Sequence, residues 1–221
     1  MRICEIFLSI QGEGIYTGIP SVFVRVAGCN LNCPWCDSAY ANNPAEGSEM
    51  TVEEVADSTK RYEVEHVVIT GGEPMIYANE IQLLCEDLNK SGKKVTIETN
   101  STLFPEGIFQ SEKNVDCNPH LLSLSPKLYQ GWDDKIIKKF LALNCKKQIK
   151  IVVDSIEEAI DALNRLKGFE IEKENIFLMP NAIKRDKHIR SAAWLVPFCC
   201  KNNVRFAGRL QTLLWDSERG K

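Results

Sequence analysis

From residue 21 onward the chain alternates between two kinds of segment, and that alternation limits its fold more than any other feature. Short runs rich in β-branched and aromatic residues stand at 21–26, 66–70, 95–98, 121–124, 148–153 and 176–179. Between most of them lie stretches with helical signals. Thr51-x-x-Glu54 and Ser155-x-x-Glu158 are capping boxes, residues 78–90 end at Gly92, Ile156, Ala159, Ile160 and Leu163 recur at helical spacing, and further helices are predicted over 133–143 and 188–198. Strands separated by helices of this length build a parallel sheet with crossover helices. About six such strands are too few for a closed eight-stranded barrel. The predicted fold is therefore α/β, a partial, open-sided (β/α) barrel, with residues 1–221 as a single domain.

The opening segment 2–10 reads as extended and runs into Gln11-Gly12-Glu13-Gly14, while residues 42–49 read as a loop. Unusual residues gather just after strands: Gly71-Gly72-Glu73-Pro74, Thr99-Asn100-Ser101, Ser125-Pro126-Lys127 and Pro180-Asn181. Strand C-termini are where open α/β sheets and barrels carry their sites.

One loop stands apart. Cys29, Cys33 and Cys36 are spaced Cys-x-x-x-Cys-x-x-Cys directly after the 21–26 strand and are followed by Asp37 and Ser38. Structural zinc takes four protein ligands, commonly as two separated pairs, and the chain's three histidines lie far from this loop. An iron-sulfur cubane is usually held by four cysteines, so three leave one iron open to a small molecule. The loop 28–38 is thus expected to carry a catalytic 4Fe-4S cluster.

A formal charge of −3 gives no electrostatic footprint for nucleic acid or a membrane surface, so neither is an expected partner. Glu5 interrupts any signal-type apolar run and no stretch of about 18 apolar residues occurs, so a cytoplasmic protein is expected. Nine cysteines in such a chain do not imply disulfides. Cys85 falls on an apolar helix face with Ile81, Leu84 and Leu88. Cys4, Cys117, Cys145, Cys199 and Cys200 carry no second cluster signature, and the neighbours Cys199 and Cys200 read as buried thiols.

The cysteine motif followed by Gly71-Gly72-Glu73-Pro74 resembles the radical S-adenosylmethionine superfamily. Further motifs resemble the 7-carboxy-7-deazaguanine synthase family within it: Ile10-Gln11-Gly12-Glu13-Gly14, Phe23-x-Arg25-x-Ala27-Gly28-Cys29-Asn30, Trp35-Cys36-Asp37-Ser38, Ser125-Pro126-Lys127, and Leu213-Leu214-Trp215 with Arg219-Gly220. The resemblance implies a carbon–nitrogen lyase. Its substrate would be 6-carboxy-5,6,7,8-tetrahydropterin and its product 7-carboxy-7-deazaguanine, with loss of ammonia, on the route to 7-deazapurines such as queuosine. It also implies S-adenosylmethionine and Mg²⁺ as cofactors, an electron donor such as a flavodoxin or ferredoxin, and a homodimer.

Roles follow by position. Cys29, Cys33 and Cys36 would ligate the cluster, and Ser38 would bind Mg²⁺. Arg25 would clamp the substrate carboxylate, with Ile10, Gln11, Gly12, Glu13, Thr70 and Gln211 around the substrate. Gly72, Ser125, Pro126, Lys127, Met179, Pro180, Asn181 and Ala182 would contact S-adenosylmethionine, and residues 207–221 would form a tail near the substrate. Taken singly, these residues also have plainer readings: Ser38 as a turn residue, Glu13 as a turn cap, Arg25 as a strand-edge cation and Lys127 as a solvated charge. The chain departs from the family at Gln211, where members often carry histidine, and at Asp216, where glycine usually follows the tail tryptophan. Two other readings remain at this level: an activase of glycyl-radical enzymes in the same superfamily, and a zinc-binding interaction domain.

Overall fold

The computed structural model of the protein describes residues 1–109, 118–216 and 218–221. Its strands are β1 (Arg2–Ile10), β2 (Pro20–Val26), β3 (Ser48–Glu49), β4 (His66–Gly71), β5 (Lys94–Thr99), β6 (Leu121–Leu124), β7 (Lys146–Val153), β8 (Ile176–Pro180) and β9 (Arg205–Phe206). They form one sheet in the order β3-β1-β2-β4-β5-β6-β7-β8-β9. Pairing is parallel from β2 through β9, and β1 closes back on β2 as an antiparallel hairpin. The end strands β3 and β9 do not pair, so the barrel is open. The helices are α1 (Val52–Lys60), α2 (Ala78–Lys90), α3 (Asp134–Leu141), α4 (Ile156–Leu166), α5 (Arg185–Asn202) and α6 (Leu210–Trp215).

Side-chain alternation gives the sheet two different faces. Val67, Ile69, Val95, Ile97, Leu122, Leu124, Ile149 and Ile151 point to one side, where Leu84, Leu88, Ile137, Phe140 and Ala159 of the helices complete the main core. Residues one position away, His66, Thr70, Thr96, Glu98, Ser123, Gln148 and Lys150, are buried or partly buried on the other side. That side is the concave interior, and it is polar because the site lies there.

The loop joining β1 to β2 turns into this interior. Ile15 donates its backbone N–H to Gln148 Oε1 at 2.8 Å, and the Tyr16 ring meets His66 edge-on with centroids 4.8 Å apart. Gln148 in turn donates to Ser123 Oγ at 2.8 Å. The loop therefore separates the two ends of the barrel, with residues 11–13 facing the strand C-termini.

Local signals account for most boundaries. Thr51 and Glu54 form the reciprocal capping box of α1, Asp133 accepts from the first N–H groups of α3, and Ser155 accepts from Glu158 N. Three expectations need correction. Residues 42–49 hold the end of one short 3₁₀ turn (Ala39–Asn42), the whole of a second (Pro44–Glu46) and β3, which pairs with Arg2 and Ile3. Helix α5 runs well beyond 188–198, continuing through Pro197 until Asn203 adopts the left-handed conformation (φ 54°). Cys200 is exposed and not buried, because it follows the core-facing Cys199 and so lies on the outer side of α5. Cys85 and Cys199 are buried as expected, and Cys117 lies outside the described residues.

His66 yields a pH prediction. Its ring nitrogens lie 2.7 Å from Ser21 Oγ and 2.8 Å from Thr96 Oγ1, and burial pushes its pKa down to about 4. Unfolded His66 takes up a proton near its ordinary pKa and folded His66 does not, so stability falls as pH drops from about 7 toward 4. Denaturation at pH 7, 5.5 and 4 should show this loss in the wild type and a smaller one in His66→Gln. An equal acid loss in both would assign it to other groups.

Candidate active site

At the strand C-termini a cavity of about 240 Å³ is lined by three polar clusters and the cysteine loop. Its floor is an ion network centred on Lys150 of β7. Lys150 Nζ lies 2.7 Å from Glu13 Oε2 and 2.9 Å from Glu98 Oε1. Gln11 and Thr70 donate to the two Glu98 oxygens at 3.3 and 3.0 Å. Gln211 Nε2 donates to Glu13 Oε1 at 3.0 Å, and Arg209 Nε lies 3.4 Å from the same oxygen. Burial pushes the Glu13 carboxyl up, but the charges of Lys150 and Arg209 outweigh it and hold the pKa at about 2. The same carboxylates raise the Lys150 pKa against its own burial. Glu13 and Lys150 are thus both ionised at every ordinary pH.

The second cluster lies at the mouth. Arg25 belongs to β2, which is flanked on both sides, so the strand-edge reading fails. Arg25 Nε donates to Glu5 Oε1 at 2.7 Å, and Tyr40 Oη donates to the same oxygen at 2.6 Å. The guanidinium rests between the Phe7 and Tyr40 rings, 5.8 and 5.9 Å from their centroids.

The third cluster fastens the cysteine loop. Glu73 is fully buried and accepts from Thr99 Oγ1, Asn100 N and Met75 N at 2.7 to 2.9 Å. Burial raises its pKa and these donors oppose the rise. Asn100 Nδ2 reaches Asn30 Oδ1 at 3.0 Å and Cys29 Sγ at 4.0 Å. Gly28 O accepts from Glu73 N at 2.8 Å, and a Cβ on Gly72 would stand 2.0 Å from that oxygen. Gly72 is therefore required by the packing of the two loops, a reason the sequence does not show.

Cys29, Cys33, Cys36 and Ser38 all line the cavity, with Ser38 Oγ 3.8 Å from Cys36 Sγ. Among the described residues no three His, Cys, Asp or Glu side chains converge on one metal ion. A 4Fe-4S cluster takes one thiolate per iron, so three thiols lining one cavity fit it and leave one iron without a protein ligand. Ser125 and Lys127 also line the cavity. Lys127 Nζ donates to Ser125 Oγ at 2.7 Å, and burial lowers its pKa, so it is not a solvated charge.

A family model described as the Radical SAM superfamily matches residues 23–191. The chain is 35% identical to 7-carboxy-7-deazaguanine synthase of Rhodopirellula baltica, over all of this chain and 88% of that protein. It is 33% identical to the Pyrobaculum aerophilum protein of the same name, over all of this chain and 97% of that one. The chain belongs to the 7-carboxy-7-deazaguanine synthase family of radical SAM proteins. QueE from Escherichia coli has a similar solved structure, with TM-score 0.72 and 26% identity, covering 95% of this chain and 93% of that one.

Of the remaining positions singled out for this family, Ile10, Gln11, Gly12, Glu13, Arg25, Thr70, Gly72, Met179 and Gln211 line the cavity, whereas Pro126, Pro180, Asn181 and Ala182 do not. Ala182 serves the site indirectly, its carbonyl accepting from Arg209 Nη1 at 3.3 Å. At the departing position 211 the glutamine amide bonds Glu13. Asp216 occupies a positive-φ position (φ 54°) where glycine is at ease, and its carboxylate compensates by accepting from Arg185 N at 2.7 Å. Sequence reasoning missed Glu5, Tyr40, Glu98, Lys150 and Arg209. Lys150 carried a signal: it is a lone charge inside an apolar strand.

Lys150→Met should leave two carboxylates without their ammonium and cost about 3–5 kcal/mol. Glu13 contributes stability above its unfolded pKa that is lost as pH falls toward 2, and in the variant this acid loss should be smaller, because without the ammonium the folded carboxyl takes up its proton at higher pH. Adding Glu98→Gln should restore part of the stability in denaturant melts. No recovery would show that the network is not held by charge balance.

Proposed function

We propose that the chain is a radical S-adenosylmethionine lyase that converts 6-carboxy-5,6,7,8-tetrahydropterin to 7-carboxy-7-deazaguanine with loss of ammonia, in 7-deazapurine biosynthesis. The observation carrying this reading is one cavity that holds three thiols on its wall, an arginine at its mouth and fixed carboxylates on its floor. Family membership supplies the reaction, and the residue types fit it.

Cys29, Cys33 and Cys36 would hold a 4Fe-4S cluster, with Gly72, Ser125, Lys127 and Met179 beside S-adenosylmethionine. When bound, these groups supply reductive cleavage of the sulfonium and the radical that removes a hydrogen atom from the substrate. The protein's part is to place the substrate and keep water out. Arg25 presents a planar donor fork to the substrate carboxylate, and its own orientation is fixed through Nε by Glu5. Glu13, held ionised by Lys150 and Arg209, accepts from the amino and ring N–H groups of the pterin. Glu98 and Thr70 form the adjoining wall.

Ser38 and the substrate would share Mg²⁺, an ion content with few protein oxygens. A homodimer would have available to it an edge of β1 that, among the described residues, pairs with β3 only at Arg2 and Ile3. A low-potential donor such as a flavodoxin or ferredoxin would reduce the cluster.

Anaerobically reconstituted protein given reductant, S-adenosylmethionine and the carboxypterin should release the deazaguanine acid. Deoxyadenosine without that product would overturn the substrate assignment. Arg25→Ala should raise KM with cofactor cleavage retained, whereas Cys33→Ala should abolish cleavage. Ser38→Ala should lose the response to Mg²⁺, and an unchanged response would remove that ligand.

A further inference from the structure

The mouth of the cavity contains a charge arrangement of which the reaction as stated uses only the Arg25–Glu5 half. Two arginines share one carboxylate. Arg25 Nε meets Glu5 Oε1 at 2.7 Å, and Arg219 Nε, from the segment beyond α6, meets Glu5 Oε2 at 3.4 Å. Tyr40 stands between them. Its hydroxyl donates to Glu5 Oε1 at 2.6 Å, its ring carries the Arg219 guanidinium 4.2 Å from the centroid, and Arg25 lies 5.9 Å from the same centroid. Glu218, Arg219, Gly220 and Lys221 line the cavity, so the segment lies against its opening.

We propose that Glu5 and Tyr40 form a latch that fastens residues 218–221 over the cavity and sets Arg25 in the same act, making Glu5 a positioning residue for anion capture. Glu5 is 15% exposed and Arg25 17%, so their pairing is sheltered, while Arg219 at 47% is the half that can release. With Glu5 bound to both arginines, the group keeps one net positive charge. A carboxylate arriving at Arg25 supplies the missing negative charge and strengthens the hold on Arg219 through a sheltered, low-dielectric contact. Closure is thus tied to a carboxylated ligand, and a neutral analogue would leave the segment free to open. The Tyr40 ring gives Arg219 a cation–π seat, which a carboxylate alone would not provide. The inference rests on the reading of Arg25 as the substrate-carboxylate site.

The test uses the peptide bond after Arg219, a trypsin site protected while the latch is closed. Reconstituted wild type, Glu5→Gln and Tyr40→Phe would be digested under limiting trypsin, and cleavage at Arg219–Gly220 followed by mass spectrometry. Glu5→Gln should be cut about tenfold faster there, and its KM for the carboxypterin should rise about tenfold while kcat changes less than about threefold. Tyr40→Phe keeps the ring and loses the hydroxyl, so an intermediate rate is expected. Arg219→Ala, a change at a half-exposed side chain, should raise KM, and adding it to Glu5→Gln should raise KM little further. Unchanged cleavage in Glu5→Gln, or faster cleavage with an unchanged KM, would overturn the proposal. Additive KM effects of the two substitutions would overturn it as well. Wild type that turns over no carboxypterin would overturn the functional reading instead, and the cleavage rates would still decide whether the latch exists.

Discussion

The site is organised around a lysine ammonium buried in the middle of a sheet. Lys150 lies on the concave face of β7, where burial opposes its charge, and two carboxylates at 2.7 and 2.9 Å make the charge tolerable. Each carboxylate comes from a different part of the chain, Glu98 from β5 and Glu13 from the loop between β1 and β2. The ammonium therefore draws that loop into the barrel. Once the loop is inside, Gln11 reaches Glu98, Ile15 bonds Gln148, and the start of α6 is pinned by Leu210 N on Gly12 O at 3.0 Å. An open sheet has too few strands to fill its own interior, and here an inserted loop and its ion pairs fill it.

The fold was legible because its signals are local. Periodicity and capping boxes marked most of the strands and helices, and the strand count set the barrel as incomplete. Helix α6 was missed: Leu210–Trp215 is a short helix with no capping side chain, and it forms against the loop it packs on. Cysteine spacing and the Gly-Gly-Glu-Pro turn located the cavity wall, since neighbours in sequence there are neighbours in space. The floor was much less visible. Glu98, Lys150 and Arg209 come from separate elements, and nothing in the sequence says that they meet. Gln148 and Lys150 alternate with Ile149 and Ile151, as Thr96 and Glu98 do with Val95 and Ile97. That pattern marks a strand with one polar face, and in a sheet covered by helices on the other side the polar face has to be the inside of the barrel.

Glycine shows a second limit of sequence reading. A flexible residue beside a cofactor is easily explained by room for the cofactor, yet Gly72 faces the Gly28 carbonyl at a distance no side chain permits. Glu73 completes that junction, with N–H to Gly28 and carboxylate to Thr99, Asn100 and Met75. The Gly-Gly-Glu-Pro turn is thus a joint that sets the cysteine loop against the ends of β4 and β5. Its geometry would be needed before any small molecule arrived.

The two charged clusters differ in a way that matches the demands of radical chemistry. On the floor, opposite charges are paired within the protein and Glu13 is held ionised to low pH, so the dipoles and charges there are already in place. At the mouth, two guanidiniums share one carboxylate, which leaves these three groups with one net positive charge. A reactive intermediate has to be protected from solvent, which favours a cavity that closes only around the right ligand. Rigid pairing below and an unfilled charge above supply both properties. On the proposed reading, the polar floor would meet the ring of the substrate and the mouth would respond to its charge.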